Sequence, residues 1–410
     1  MITIVIVAAA NTCLFTPRFG GAFSVREDNR MIITGGRVFV DGAFRSADVV
    51  ISGDRIVAVT EPETAQTLEA YADHEVMDVC GSYVAPAFVD VHFHGCMGHD
   101  FCEGTTDAIS VLARYEASRG VTAICPATMT YPEDLLNRVS LAASEFTASD
   151  DEAALVGINM EGPFISPRKV GAQNPAYVQP CDIDEMRRLL AASDGLFKIV
   201  DVAPEEPGAI EFIEAMKDEI RISIAHTCAT YDEACNAFEA GAQHVTHLYN
   251  AMPGMNHRAP GVIPAALEYG ATPEIIADGV HIHPAMVRLA FNMFGDDRMI
   301  LISDSMEATG MQDGEYQIGG QPVTKKGNLA TLHDGTLAGS ATDLADCVRI
   351  CVTDMGVALE SALKAATINP ARAIGIDAEY GTLTPGSMAD IVILDDDIRI
   401  KTVVLRGNVL

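Results

Sequence analysis

Between residues 86 and 375 the chain alternates eight times between a short apolar run and a stretch of helix length. The runs fall at 88–94, 123–129, 155–164, 197–203, 222–227, 244–249, 274–279 and 299–305. Short apolar runs that alternate with longer amphipathic stretches predict strand–helix units. Eight such units in a segment of this size predict a (β/α)8 barrel. Helix starts are marked in places. Thr130 precedes Glu133 by three residues and Thr230 precedes Glu233 by three, both at capping-box spacing, and Gly241 closes the helix that Thr230 opens.

The ends of the chain read differently. Residues 31–85 and 376–410 are short β-rich runs broken by Gly and Asp turns, an antiparallel pattern. The expectation is an α/β protein: a distorted TIM-like barrel over 86–375, with a small β-sandwich built from 31–85 and 376–410. Residues 1–30 read as an extension outside this fold, with Met31 as the natural start, a point that the intact mass of the native protein tests.

A barrel carries its chemistry at the C-terminal ends of its strands. Here those ends hold His92 and His94, Glu161, His226, His247 and Asp304. His92 and His94 are two apart, so on a strand both face the same way. Imidazole and carboxylate together suit Zn2+ or a similar divalent ion. A lone HxH is weak, but six such residues at predicted strand ends are hard to explain as ordinary packing. His74, His99, His244 and His333 lack that placement and read as packed or surface residues; His283 stays unassigned. Lys198, within the fourth run, reads as an ordinary lysine rather than a carboxylated ligand. Cys96, Cys102 and Cys228 read as small buried residues rather than ligands.

Charge narrows the partners. The formal net charge is −30, which argues against a nucleic-acid or anionic-membrane surface. No apolar run reaches the roughly 18 residues of a membrane span. Ten cysteines without a CxxC pair read as thiols of a reduced, cytoplasmic protein. In so acidic a chain the basic positions gain interest. Arg258 and His281 fall in loops expected above the barrel mouth, and Arg is shaped to bind phosphate. Arg168 and Lys169 are the next such candidates.

The stretches VDVHFHG, MEGPFISPRKVGAQNP, AHT, HVTHLYNAM, HRAPGVI, ADGVHIHP, LISDSM, DGTLAGS and NPARAIG resemble, in order, the N-acetylglucosamine-6-phosphate deacetylases of the amidohydrolase superfamily. The resemblance runs from about residue 31 to the end. It implies that Glu161, His226 and His247 are the principal metal ligands. It implies that His92 and His94 hold a second metal, as in the two-metal branch, and that Asp304 is the catalytic acid–base. It further implies substrate contacts at Ala172, Gln173, Asn250, Ala251, Arg258, the stretch Asp278, Gly279, Val280 and His281, and the loop Leu337, Ala338, Gly339 and Ser340. The cofactor would be one or two divalent ions, Zn2+ foremost, with Fe2+, Mn2+ or Co2+ as alternatives. The partners implied are a small phosphorylated amino sugar and a second copy of the chain, the phosphate site being completed across a homodimer interface. Many members carry His where this chain has Gln173. Gln donates a hydrogen bond but cannot become cationic, so Gln173 is expected to be an uncharged donor to the substrate carbonyl.

The implied reaction is hydrolysis of N-acetylglucosamine 6-phosphate to glucosamine 6-phosphate and acetate, in amino-sugar catabolism. Two rivals come from other classes. A cyclic amidase or deaminase does not need the basic Arg258 and His281. A non-catalytic scaffold would be expected to have lost ligands that are all present here.

Overall fold

The computed structural model describes residues 29–410. The expectation for the extension falls on residues outside that range, apart from Asn29 and Arg30. Arg30 opens the first strand, Arg30–Val40, and is paired with Ser52.

Both ends of the chain meet in one sheet of eight strands. Arg30–Val40 pairs antiparallel with Ala43–Ser52, which in turn pairs with Arg55–Thr60. The C-terminal strands Ile391–Leu394 and Ile400–Leu405 join through Tyr83–Pro86. The first strand is irregular between Ile33 and Gly36. Its first half lies beside Glu75–Asp78 and its second half beside Tyr83–Pro86. A Cβ on Gly36 would sit 2.7 Å from the Val84 side chain, so the bend there requires glycine. The sheet thereby folds over a shared core that includes Ile33, Val49, Ile56, Val84, Ile391 and Val404.

The middle of the chain is the barrel. Its parallel strands are Phe88–Asp90, Val121–Ile124 continued by Ala127–Thr128, Ile158–Met160, Phe197–Val202, Arg221–Ile224, His244–Val245, Thr272–Ile276 and Ile300–Ile302. Each lies within or beside one of the eight predicted runs. The barrel is distorted: the ladder divides into a seven-stranded and a three-stranded sheet. Single backbone bonds bridge the gaps. Ala127 N–H donates to the Phe93 carbonyl at 2.7 Å, and Asn159 N–H donates to that of Pro126 at 2.9 Å. Closure comes at the mouth, where Asp304 N–H donates to the His92 carbonyl at 2.9 Å and His94 N–H to that of Ser305 at 2.7 Å. The last strand is thus tied to the first through the functional residues themselves.

The strands are shorter than the apolar runs because polar residues end them. Glu161 follows Met160 directly. His92, His226, His247 and Asp304 each lie two residues past a strand end. There His226, His247 and Asp304 have φ of 42°, 32° and 49°. Non-glycine residues seldom adopt this left-handed backbone, and such strain concentrates at functional sites.

Helix Tyr231–Ala240 carries the expected capping box of Thr230 and Glu233 and ends at Gly241. The other expected box does not form. Helix Glu133–Glu145 begins after Pro132, without a side-chain cap. Thr130 is buried, and its N–H donates to the Gln173 side chain at 2.6 Å. Proline's fixed φ prepares the first turn two residues beyond Thr130.

After the eighth strand the chain makes an insertion that the sequence reading missed: an antiparallel three-stranded sheet, Gly314–Ile318, Gln321–Lys326 and Leu329–Leu332. It leans on the barrel mouth, where Gln321 Nε2 donates to the Ala172 carbonyl at 2.6 Å.

Candidate metal-dependent active site

A cavity of about 250 Å³ opens at the C-terminal ends of the strands. At its floor two sets of donors converge: Glu161, His226 and His247, and His92, His94 and Asp304. In each set one ligand atom per residue lies within 4.8 Å of the others. All six side chains are buried.

The histidine tautomers follow from their partners. His226 Nδ1 lies 2.8 Å from the Lys169 carbonyl, an acceptor only, so that nitrogen carries the proton. In the neutral ring its Nε2 is then a bare lone pair, 2.9 Å from Glu161 Oε1. His247 Nε2 lies 3.0 Å from the same oxygen and 3.1 Å from His226 Nε2. In the second set His92 gives Nδ1 to Glu274 at 2.9 Å, which leaves Nε2 buried without a hydrogen-bond partner. That Nε2 faces Glu161 at 3.7 Å and Asp304 at 3.8 Å. His94 Nε2 lies 3.2 Å from Glu161 Oε2 and 3.3 Å from Asp304 Oδ1.

Glu161 therefore stands between the sets, its Oε1 toward His226, His247 and, at 3.7 Å, His92, and its Oε2 toward His94. Lone pairs and carboxylates that converge in a buried place make a poor hydrogen-bond network and a good cation site. Both donor sets fit a divalent ion.

The electrostatics agree. Burial would raise the Glu161 carboxyl, but hydrogen bonds from His226 and His247, with His92 nearby, hold it well below the usual range. Burial would lower His94, yet Asp304 and Glu161 push it up to about 10. Burial works against the Asp304 charge too, and His94 and His92 outweigh it, so that carboxyl is lowered. The carboxylates thus raise the proton affinity of His92, His94 and His226, a pull that a divalent cation placed between them would satisfy.

Most of the expected substrate residues meet here. Ala172, Gln173, Asn250, Ala251, His281, Leu337 and Gly339 line the cavity. Asp278 stands behind His281: its carboxylate accepts from Val280 N–H and His281 N–H and contacts His281 Nδ1 at 2.7 Å. Gly279 lies in the same turn, with φ of 82°. Ala338 and Ser340 support the loop from beneath, Ser340 N–H donating to the Asp304 carbonyl at 2.7 Å. Arg258 is exposed and does not line the cavity, and no Lys or Arg among the described residues does.

Gln173 departs from its expected use as a donor to the substrate carbonyl. Its Oε1 accepts from Thr130 N–H, and its Nε2 donates to Glu161 Oε2 at 2.6 Å. The amide is held between backbone and ligand and steadies Glu161. Lys198 Nζ donates to the Gly195 carbonyl, away from the mouth. Neither donor set contains a cysteine. Arg168 pairs with Glu205 at 3.8 Å, and Lys169 contributes its carbonyl to His226.

Other parts of the site had weak sequence signals. Met129, Gly171, Ile318 and Thr336 line the cavity. A Cβ on Gly171 would lie 3.3 Å from His226 Cε1, so glycine is required for the close approach. Glu274, to which the sequence assigned no role, and His244, read as a packed or surface residue, lie directly beneath His92. A lone Glu inside an apolar run was the available clue.

Site and fold define a metal-dependent hydrolase of the barrel type, and comparison with known proteins agrees. Residues 83–410 match the amidohydrolase family model. An N-acetylglucosamine-6-phosphate deacetylase of Bacillus subtilis is 36% identical over 357 residues, 86% of this chain and 90% of the relative. An N-acetylgalactosamine-6-phosphate deacetylase of Escherichia coli O157:H7 is 33% identical over 87% of this chain and 92% of its own. Among solved structures, a mutant N-acetyl-D-glucosamine-6-phosphate deacetylase of Mycobacterium smegmatis in complex with N-acetyl-D-glucosamine-6-phosphate superposes with a TM-score of 0.85. It is 30% identical, over 93% of this chain and 99% of that one. The chain belongs to the amidohydrolase family and, within it, to the N-acetylglucosamine-6-phosphate deacetylase group.

Proposed function

We propose that this enzyme hydrolyses the acetamide of N-acetylglucosamine 6-phosphate, giving glucosamine 6-phosphate and acetate. The observation that carries the reading is the paired donor set around Glu161 at the floor of a sugar-sized cavity. Glu161, His226 and His247 would hold one divalent ion; His92, His94 and Asp304, with Glu161 beside them, would hold another. Zn2+ is the ion that best suits imidazole and carboxylate at these positions. A divalent ion bound there supplies Lewis acidity and lowers the pKa of a water.

The chain's own residues do the rest. Asp304, at the cavity floor, accepts the proton of the attacking water. It passes that proton to the amine nitrogen as the C–N bond breaks. Gln173 holds the Glu161 carboxylate in place through both steps. His281, fixed by Asp278, faces the sugar from the cavity wall. Asn250, Ala251, Leu337 and Gly339 shape the pocket around it.

No Lys or Arg lines the cavity among the described residues. The proposed phosphate clamp is the exposed Arg258 with His281 and the Asn250–Ala251 stretch, completed by a second copy of the chain in a homodimer. The described cysteines are free thiols, which suits a cytoplasmic enzyme. No helix among the described residues is long and apolar enough to cross a membrane.

A second reading is favoured by the galactosamine-specific name of one relative: the preferred hexosamine could be the 4-epimer. The purified protein, loaded with Zn2+, is given the 6-phosphates of N-acetylglucosamine, N-acetylgalactosamine and N-acetylmannosamine, and unphosphorylated N-acetylglucosamine. Acetate release fastest from N-acetylglucosamine 6-phosphate is expected. A preference for the galactosamine ester would favour the second reading, and no release from any of the four would overturn both.

A further inference from the structure

Beneath the two donor sets lies a buried polar chain that the reaction does not use directly. Glu274 sits inside the strand Thr272–Ile276 and is fully buried, as are His92 and His244. Its Oε2 accepts from His92 Nδ1 at 2.9 Å and from His247 backbone N–H at 3.3 Å. Its Oε1 lies 3.0 Å from His244 Nε2, and His244 Nδ1 lies 2.7 Å from Thr272 Oγ1. The chain runs from the mouth of the barrel to the start of the seventh strand. It touches one member of each donor set.

A buried carboxylate with no Lys or Arg partner is costly to keep in a barrel. Here three hydrogen-bond donors satisfy it, and two of them belong to donor-set residues. The consequence for His92 is specific. With Nδ1–H committed to Glu274, Nε2 is the bare nitrogen; it faces Glu161 and Asp304 and has no hydrogen-bond partner. Without that acceptor, the ring is free to carry its proton on either nitrogen.

We infer that Glu274, backed by His244, is a positioning residue that fixes the tautomer and ring orientation of His92 for the second ion. The inference rests on the two-ion reading above. Removing Glu274 weakens the second ion selectively, because among the donor-set imidazoles it holds only that of His92; its contact with the first set is to the backbone N–H of His247 and not to a ligand atom. Loss of such a partner typically costs about 10–100-fold in metal affinity.

The test uses the full chain, stripped of metal and titrated with Zn2+. Calorimetry and elemental analysis resolve the first and second equivalents. In Glu274→Leu the second equivalent should weaken by about 10- to 100-fold while the first is unchanged. Glu274→Gln retains an acceptor for His92 Nδ1–H and should recover most of the loss. Should the Leu variant not fold, His244→Leu, which removes only the far partner, is titrated in its place and should show a smaller loss in the same direction. Equal weakening of both equivalents, or no weakening, overturns the inference. A wild-type chain that binds a single ion overturns the two-ion reading instead. The 15N shifts of His92 in the metal-free protein then decide about Glu274: an Nδ1–H form in wild type that becomes mixed in Glu274→Leu supports it, and an unchanged form overturns it.

Discussion

Replacing Asp304 with Asn removes its carboxylate while keeping the side chain's size. Asp304 has φ of 49°, a backbone that Asn tolerates far better than Ala. The loop should therefore keep its shape, and Asp304 N–H should keep its bond to the His92 carbonyl. What is lost is a carboxylate 3.3 Å from His94 Nε2 and 3.8 Å from His92 Nε2. General acid–base catalysis is worth about 10²–10⁴ in rate. At 1.36 kcal/mol per factor of ten, that is about 2.7–5.4 kcal/mol of barrier. The kcat for N-acetylglucosamine 6-phosphate should fall by that factor, with little change in KM. The metal outcome is also graded. Asp304 belongs with His92 and His94, not with Glu161, His226 and His247. The first ion should stay and the second should weaken. Steady-state acetate release, with elemental analysis of the same samples, reads both. Turnover near that of wild type would show that another group moves the proton. Loss of both ions would show that Asp304 holds the site together rather than serving it as a base.

His226→Ala removes a nitrogen that faces Glu161 Oε1 at 2.9 Å; the first ion and all activity should go, and an active variant with full metal content would refute the ligand assignment. Arg258→Ala should lower kcat/KM for the phosphorylated substrate by roughly 10- to 150-fold, from about 1.5–3 kcal/mol per hydrogen bond to a charged group. It should leave unphosphorylated N-acetylglucosamine almost untouched; equal losses on both substrates would place the clamp elsewhere, with Arg168 and Lys169 next to test. Glu116 offers a stability test outside the two donor sets. It is fully buried with both carboxylate oxygens unpartnered, and burial, with Asp90 and Asp343 nearby, raises its pKa well above 4.5. A raised folded pKa gives most stability below about 4.5, and that stability is lost as pH rises toward the folded value. Glu116→Gln stays neutral throughout, so its gain in Tm over wild type should be larger at pH 8 than at pH 5. An equal difference at both would show that Glu116 does not exchange its proton on folding.

The sequence by itself determined the architecture and the identity of the donors. Eight apolar runs spaced by helix-length stretches suffice for a barrel, because periodicity and burial are local properties that each run carries alone. His92, His94, Glu161, His226, His247 and Asp304 were legible for the same reason: each is a polar residue ending an apolar run, and a barrel brings all such ends to one rim. What the tertiary structure decided was pairing. That Glu161 meets members of both donor sets depends on strands closing in one register, with His226 and His247 lying 65 and 86 residues away. Gln173 could be recognised as a donor, but its engagement with Glu161 and Thr130 is set by where its loop folds back. Arg258 could be read as basic, but its exposure outside the cavity lining depends on the path of its loop. Glu274 and His244 were hidden among strand residues, since one charge in an apolar run does not name its partner. Hydrogen-bond partners across a barrel are fixed by closure and register, and neither is written in the spacing along the chain.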